Sequence, residues 1–248
     1  MLAKGALHVH STLSHDGTLT IPELVQWYRS RGYHFIAIGE HSQDLDEAKI
    51  KHLLQAAIAH SSRQFLVIPG IEFSCRNGTH IFGMGMTHLI DDAHPVAVAR
   101  EIHDHDGIAI LAHPRRMKWQ CAPELLQVLD AIEIWNVAYD GKFLPSFHAP
   151  LGFRRFREAN PRLLAIAGQD FHRKPSFHDV CLQLGVTRLH RDDVMEVVRS
   201  GQYLIKSPLF RTDARFQLSL FRSLSLHLFS RQIFGLRKAR DVVLRRPK

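Results

Sequence analysis

Short apolar runs ending in or just before a histidine or an acid recur along the first two hundred residues of this chain. The runs cover residues 6–10, 35–40, 65–74, 79–85, 108–113, 131–136, 163–168 and 180–186. They are rich in Ile, Val, Leu and Phe and mostly continuous rather than alternating, the pattern of strands covered on both faces by crossover helices. Helix-like segments lie between them, at 20–31, 46–62, 94–106, 123–130, 147–160 and 191–200. Thr20 with Pro22 and Glu23 reads as a capping box with proline in the first turn, and Gly32 as the stop. Such alternation predicts an α/β fold with a mainly parallel sheet. Seven or eight units over about 200 residues suit a compact barrel.

Several classes are set aside by composition. The longest charge-free stretch, residues 77–90, holds three glycines and two histidines, too short and too polar to span a bilayer. Candidate chemistry begins at His8, which leaves no room for a signal peptide. Cys75, Cys121 and Cys181 are widely spaced, so neither a disulfide framework nor a thiolate zinc site is expected. A reducing, cytoplasmic location is the expectation that follows.

The chain carries 18 histidines, and many sit at the predicted strand ends. His8 and His10 close the first run, His41 follows the second, and Glu72 lies near the end of the third. His80 lies in the fourth, His113 ends the fifth, and Asp170 and His172 follow the seventh. In a parallel barrel those ends share one mouth, so six imidazoles and two carboxylates would converge on a single pocket. Such a donor set suits borderline divalent ions such as zinc, manganese or iron. His8 and His10 would point to one face of a strand, about 6–7 Å apart, and could bite one ion. The remaining histidines, such as His34, His52 and His103, fall on predicted helices and loops and read as ordinary surface or hydrogen-bonded residues.

Taken in order, these residues resemble a known family, the PHP-domain proteins (polymerase and histidinol phosphatase). ALHVHSTLSHDGTL is similar to the family's first motif, IGEH to its second, and PGIEFS with Glu72 to its G-x-E-x-S. HIFGMG, LAHPRR, AIEIWN and GQDFH match the later motifs, so the resemblance covers residues 4–206 in the correct order. It implies a distorted (β/α)7, TIM-like barrel holding two or three divalent ions. By position, His8, His10, Glu72 and Asp170 would hold one ion, and Glu72 would bridge to a second held by His80 and His113. His41 and His172 would hold a third, helped by the loop Ser14-His15-Asp16-Gly17. That loop is one residue longer than the family's Ser-Asp-Gly, leaving His15 or Asp16 as the ligand; Asp16 is favoured because it keeps the Asp-Gly pair. Glu40, where the family usually has Asp, is expected to support the site without necessarily touching metal.

The resemblance and the electrostatics together point to a metal-dependent hydrolase cleaving phosphate esters. Three divalent ions would outweigh Asp16, Glu72 and Asp170 and leave a positive pocket, with a metal-activated hydroxide as nucleophile. Glu72, Asp170 and His172 are the expected catalytic residues, and no G-x-S-x-G or P-loop is present. Arg115 and Arg116 are the expected substrate-binding pair, with Lys118, Arg76 and Arg173 as weaker candidates. Glu133 reads as an orienter of a histidine or as a structural acid. A small phosphorylated compound or a nucleotide is the expected substrate. The alternatives are a 5′-end-directed nuclease on RNA or DNA and a non-catalytic PHP scaffold.

The chain's surplus of positive charge belongs to its end. From Leu209 onward there are ten Lys/Arg and two Asp, against 22 and 22 before it. Residues 1–208 are therefore expected to form the metal-binding barrel and 209–248 a basic, Leu/Phe-rich amphipathic extension. It could pack on the barrel, lie on an anionic membrane surface, or contact nucleic-acid phosphates.

Overall fold

Every one of the apolar runs forms strand in the computed structural model of the chain, which describes residues 1–141, 143–218 and Leu228. One six-stranded sheet contains β1 (Leu2–Val9), β2 (Phe35–Ile38), β4 (Leu66–Ile68), β10 (Cys181–Gly185), β11 (Tyr203–Lys206) and β12 (Arg211–Asp213), ordered β12-β11-β10-β1-β2-β4. The other contains β3 (Glu40–His41), β5 (Gly70–Ser74), β6 (His80–Met84), β7 (Ile108–Leu111), β8 (Ala131–Asn136) and β9 (Leu164–Gly168), ordered β3-β5-β6-β7-β8-β9.

Two of the expected strands are broken, and each passes from one sheet to the other at its break. Run 35–40 splits at Gly39 into β2 and β3, and run 65–74 splits at Pro69 into β4 and β5. The backbones approach closely there: a Cβ on Gly70 would lie 2.5 Å from the Ile38 carbonyl oxygen, and one on Gly39 would lie 2.9 Å from the His8 ring.

The sheets are mixed rather than mainly parallel. Parallel pairs join β1–β2, β2–β4, β3–β5, β7–β8 and β8–β9, whereas β1–β10, β10–β11, β11–β12, β5–β6 and β6–β7 are antiparallel. The physical reason is plainest between β5 and β6. The connection runs from Cys75 to Thr79, too short for a crossover, and turns through Asn77 and Gly78 at φ 61° and 71°. His80 therefore starts its strand, and its pairing with Ser74 places it level with the end of β5.

The helices follow the expected segments. The capping box at Thr20 is formed and opens α1 (Ile21–Arg29). Asp46 caps α2 (Glu47–His60), and α3 (Pro95–Asp104), α4 (Pro123–Val128), α6 (Ala149–Ala159) and α7 (Arg191–Ser200) occupy the other predicted stretches. A short helix without a sequence signal, α5 (Val137–Asp140), follows β8 directly, its first amides held by the Asn136 side chain. Phe82, Ile110, Trp135 and Phe153 belong to one buried cluster and Tyr28, Ile36, Phe65 and Phe171 to another, so the site is walled by rigid packing.

Past residue 208, β12 adds a strand to the first sheet, and Ala214 is fully buried. The amphipathic extension expected from the sequence otherwise lies outside the described residues. Among the described residues, no helix is long and apolar enough to cross a membrane.

Candidate metal centre

Glu72 projects from β5 into the middle of a histidine cluster and is almost fully buried. Its Oε1 lies 2.9 Å from His80 Nδ1 and 2.8 Å from His113 Nε2. Its Oε2 lies 2.9 Å from His41 Nδ1, 3.5 Å from His8 Nε2 and 3.9 Å from His10 Nε2. Asp170 adds a second carboxylate, 3.4 Å from His10 Nε2 and 3.8 Å from His8 Nε2. Asp16 stands between His41 and His172, at 3.3 and 3.1 Å. The structure thus gathers all nine expected ligand residues at one place. Of the two loop candidates, His15 holds Asp44 at 2.7 Å, yet its ring also lies 5.6 Å from that of His41, and His15, Asp16 and His41 form a further group able to converge on one ion. Gly17 permits the loop's path, because a Cβ there would fall 1.9 Å from the Ser11 carbonyl oxygen.

The backbone reaches this arrangement through unusual conformations. His8, His113 and Asp170 have φ of 60°, 30° and 48°, a left-handed region that non-glycine residues seldom occupy. The His8 and His10 rings lie 5.0 Å apart, but not through plain strand alternation. The β1–β2 register shifts between Leu7 and Val9, and this irregularity re-aims His8. Strain of this kind persists where the surroundings over-determine it.

Around the cluster, acids and hydroxyls fix the imidazoles. Glu133 Oε1 accepts from His8 Nδ1 at 2.7 Å, and its Oε2 accepts from the His113 amide at 2.8 Å and from Asn136 Nδ2 at 2.9 Å. Glu40 is buried and accepts from the Ser11 amide and the Ser14 hydroxyl, in keeping with a supporting role. Ser14 also accepts from the His41 amide at 3.0 Å. Sequence reasoning had no signal for Ser14 beyond its place in the loop.

Charge in the cluster is strongly coupled. Burial opposes protonation of His8, but Glu133, Glu72 and Asp170 outweigh it and hold its pKa well above the usual value. Burial likewise opposes a charge on His41, and Glu72 and Asp16 overcome it. For His10 burial wins, and its pKa falls to about 4. Burial would raise the Glu72 and Asp170 carboxyls, yet His8 and its neighbours keep both below the ordinary range.

The donor set fits metal ions. His8 Nε2, His10 Nε2, His41 Nδ1 and His172 Nε2 are buried and make no hydrogen bond, although carboxylate oxygens lie close by. Buried polar atoms are nearly always satisfied, so a cluster of four such nitrogens fits the binding of cations. Groups able to converge on one ion include His8-His10-Glu72, Glu72-His80-His113 and His10-His41-His172.

No family profile and no curated protein matches the sequence. Solved structures do match. A two-domain protein from Bacteroides vulgatus containing a predicted PHP-like metal-dependent phosphoesterase aligns with TM-score 0.60 and 16% identity, over 84% of this chain and 65% of that one. The fold is that of PHP-like metal-dependent phosphoesterases. A protein from Bifidobacterium adolescentis described as a metal-dependent phosphoesterase aligns with TM-score 0.53 and 16% identity, over 79% of this chain and 96% of the other. A lesion-specific endonuclease from Pyrococcus furiosus aligns with TM-score 0.59 and 14% identity, over 83% and 58%. The chain thus spans less than two thirds of the Bacteroides and Pyrococcus proteins.

At the rim of this cluster the expected arginines take different paths. Arg116 reaches inward, with Nη1 3.4 Å from His80 Nε2. Arg115 Nη1 instead donates to the Tyr139 carbonyl at 2.5 Å and lies 3.6 Å from Asp140. Burial raises the Asp140 carboxyl to about 7. Tyr139, not foreseen from sequence, brings its ring centroid 4.9 Å from that of His113 and is 40% exposed at the mouth.

Proposed function

We propose that this chain is a metal-dependent hydrolase of phosphate esters, acting on a small phosphorylated compound or a nucleotide. The observation that carries the reading is the set of buried, unpartnered imidazole nitrogens packed against Glu72 and Asp170. His8, His10, Glu72 and Asp170 would hold one divalent ion, Glu72, His80 and His113 a second, and Asp16, His41 and His172 a third. Zinc, manganese and iron all suit these donors. Bound there, such ions would polarise phosphoryl oxygens and lower the pKa of water to about 7.

The protein's own groups do the positioning. Glu133 fixes the His8 ring through Nδ1, leaving Nε2 aimed into the cluster. Glu40 and Ser14 lock the 11–17 loop that carries Asp16. Arg116, beside His80, is placed to meet a non-bridging phosphate oxygen. We further infer that the two sheets are parts of one distorted (β/α)7 barrel. Its support is the contact between β1 and the segment after β9, where Gln169 donates to Leu7 and His10 to Phe171.

Elemental analysis of protein purified without chelator, with hydrolysis of p-nitrophenyl phosphate before and after chelation, tests the reading. Glu72→Ala is expected to lose bound metal and to reduce hydrolysis to background. Undiminished hydrolysis in that variant would overturn the mechanism, and metal binding with no hydrolysis by the wild type would favour a scaffold.

A further inference from the structure

Before Leu209 basic and acidic residues balance at 22 each, yet one flank of the site is rich in cations, of which Arg115 is paired with Asp140 at 3.6 Å. Beside the loop that follows His113, a cavity of about 440 Å³ is lined by Arg115, Lys118, His148 and Arg155 around Trp119. Leu151 of α6 also lines a second cavity of about 590 Å³, which carries Arg154, Arg157 and Arg215. The two cavities therefore adjoin, and no Asp or Glu lines either one among the described residues. Arg157 spends its guanidinium on the carbonyls of Pro161 and Arg215, so no acid offsets its charge there. Lys118, Arg154 and Arg155 make no ion pair among the described residues.

Grouping like charges this way costs stability through mutual repulsion and raises the local attraction for anions. A single phosphate can engage two or three cations; six Lys/Arg spread over two cavities match a chain of phosphates. The surface is concave and, among the described residues, offers one large apolar side chain more than half exposed, Leu151, which is a poor match to a bilayer. At its inner end stands Tyr139, with the Arg116 guanidinium 5.8 Å from the ring centroid, a face on which a base can stack.

We infer that this flank is the track for a single-stranded nucleic acid that delivers a phosphate to the histidine cluster. For its chemistry the inference rests on the phosphoesterase reading and extends its substrate class from small esters to nucleic-acid strands; the binding surface does not depend on it. Cleavage consumes one water per P–O bond, whose oxygen ends on phosphorus while the departing ester oxygen takes a proton.

The test uses the full chain and a labelled single strand of 12 nucleotides with phosphorothioate linkages, read by fluorescence anisotropy at several salt concentrations. Arg154→Glu with Arg155→Glu removes two exposed contacts. The dissociation constant at 0.1 M salt is expected to rise about 25-fold, and the slope of log K against log salt to shrink by about 1.4. Hydrolysis of p-nitrophenyl phosphate should be unchanged in the same preparation. Lys118→Glu, expected to weaken binding about 5-fold, supplies a second reading if the double variant misfolds. Unchanged strand affinity and slope would overturn the inference, as would weakened binding only to vesicles containing phosphatidylserine. Strand binding that weakens as expected, with no ester hydrolysis by either protein, would sustain the track and defeat the phosphoesterase reading.

Discussion

Replacing Glu133 by Gln isolates the role of a residue that supports the cluster from outside it. The carboxylate accepts three buried hydrogen bonds, from His8 Nδ1, the His113 amide and Asn136 Nδ2. The amide oxygen of Gln can keep the last two only if its NH2 faces His8. His8 Nδ1 must then accept, which moves the ring proton to Nε2, the nitrogen otherwise aimed at Glu72 and Asp170. The opposite orientation sets the NH2 against two donors and is worse by one bond. Hydrogen bonds to charged groups contribute about 1.5–3 kcal/mol each, so the metal-free protein should lose about that much stability. Metal affinity should fall about 10–100-fold, as supporting residues typically cost. Competition with a chromophoric zinc chelator and urea denaturation measure the two effects. Wild-type zinc affinity in Glu133→Gln would refute the assignment of the His8 ring's orientation to this acid.

Gly168→Ala should act on the same contact by a steric route: its Cβ would lie 1.9 Å from Glu133 Oε1, so metal content should drop while overpacking costs about 1–3 kcal/mol in urea denaturation. Thr20→Ala removes the cap of α1 and should cost about 1 kcal/mol in the same assay, with hydrolysis of p-nitrophenyl phosphate unaltered. The hydrogen bond from His103 to Asp130 raises that histidine's pKa above 6.5. Its stabilising contribution is complete below pH 6.5 and fades as pH rises through the raised value, so the gap in urea midpoint between wild type and His103→Gln should narrow from pH 5.5 to pH 9.

Much of this was legible in the residue order. Continuous apolar runs located the strands because burial on both faces leaves no polar alternation to obscure them. Most of the candidate ligands were legible because they sit within, or one or two residues beyond, such a run; Asp16 and His172 lie further out and were reached through the motifs. Less accessible was the direction of β6, although the Asn77-Gly78 pair in a five-residue link is a hairpin signal. The breaks fall at Gly39 and Pro69, residue types that interrupt strands, but the passage from one sheet to the other at each break is a tertiary fact. The same holds for Tyr139 and for the joining of Arg115 and Lys118 with the distant Arg155 into one cavity. The pairing of His15 with Asp44 depends on how the loop folds around Gly17, which spacing alone left open.

The reversal of β6 has a consequence for how this scaffold can grow. Candidate ligands such as His41, His113 and Asp170 come at the end of their strands or just after them, so segments inserted further downstream can lengthen without disturbing the donors. His80 opens its strand instead, at the far side of the tight link from Ser74. One added residue in that link would slide β6 by a single position and turn His80 away from Glu72. New lids or specificity loops can therefore be accommodated around most of the mouth, while this one corner is closed to insertion.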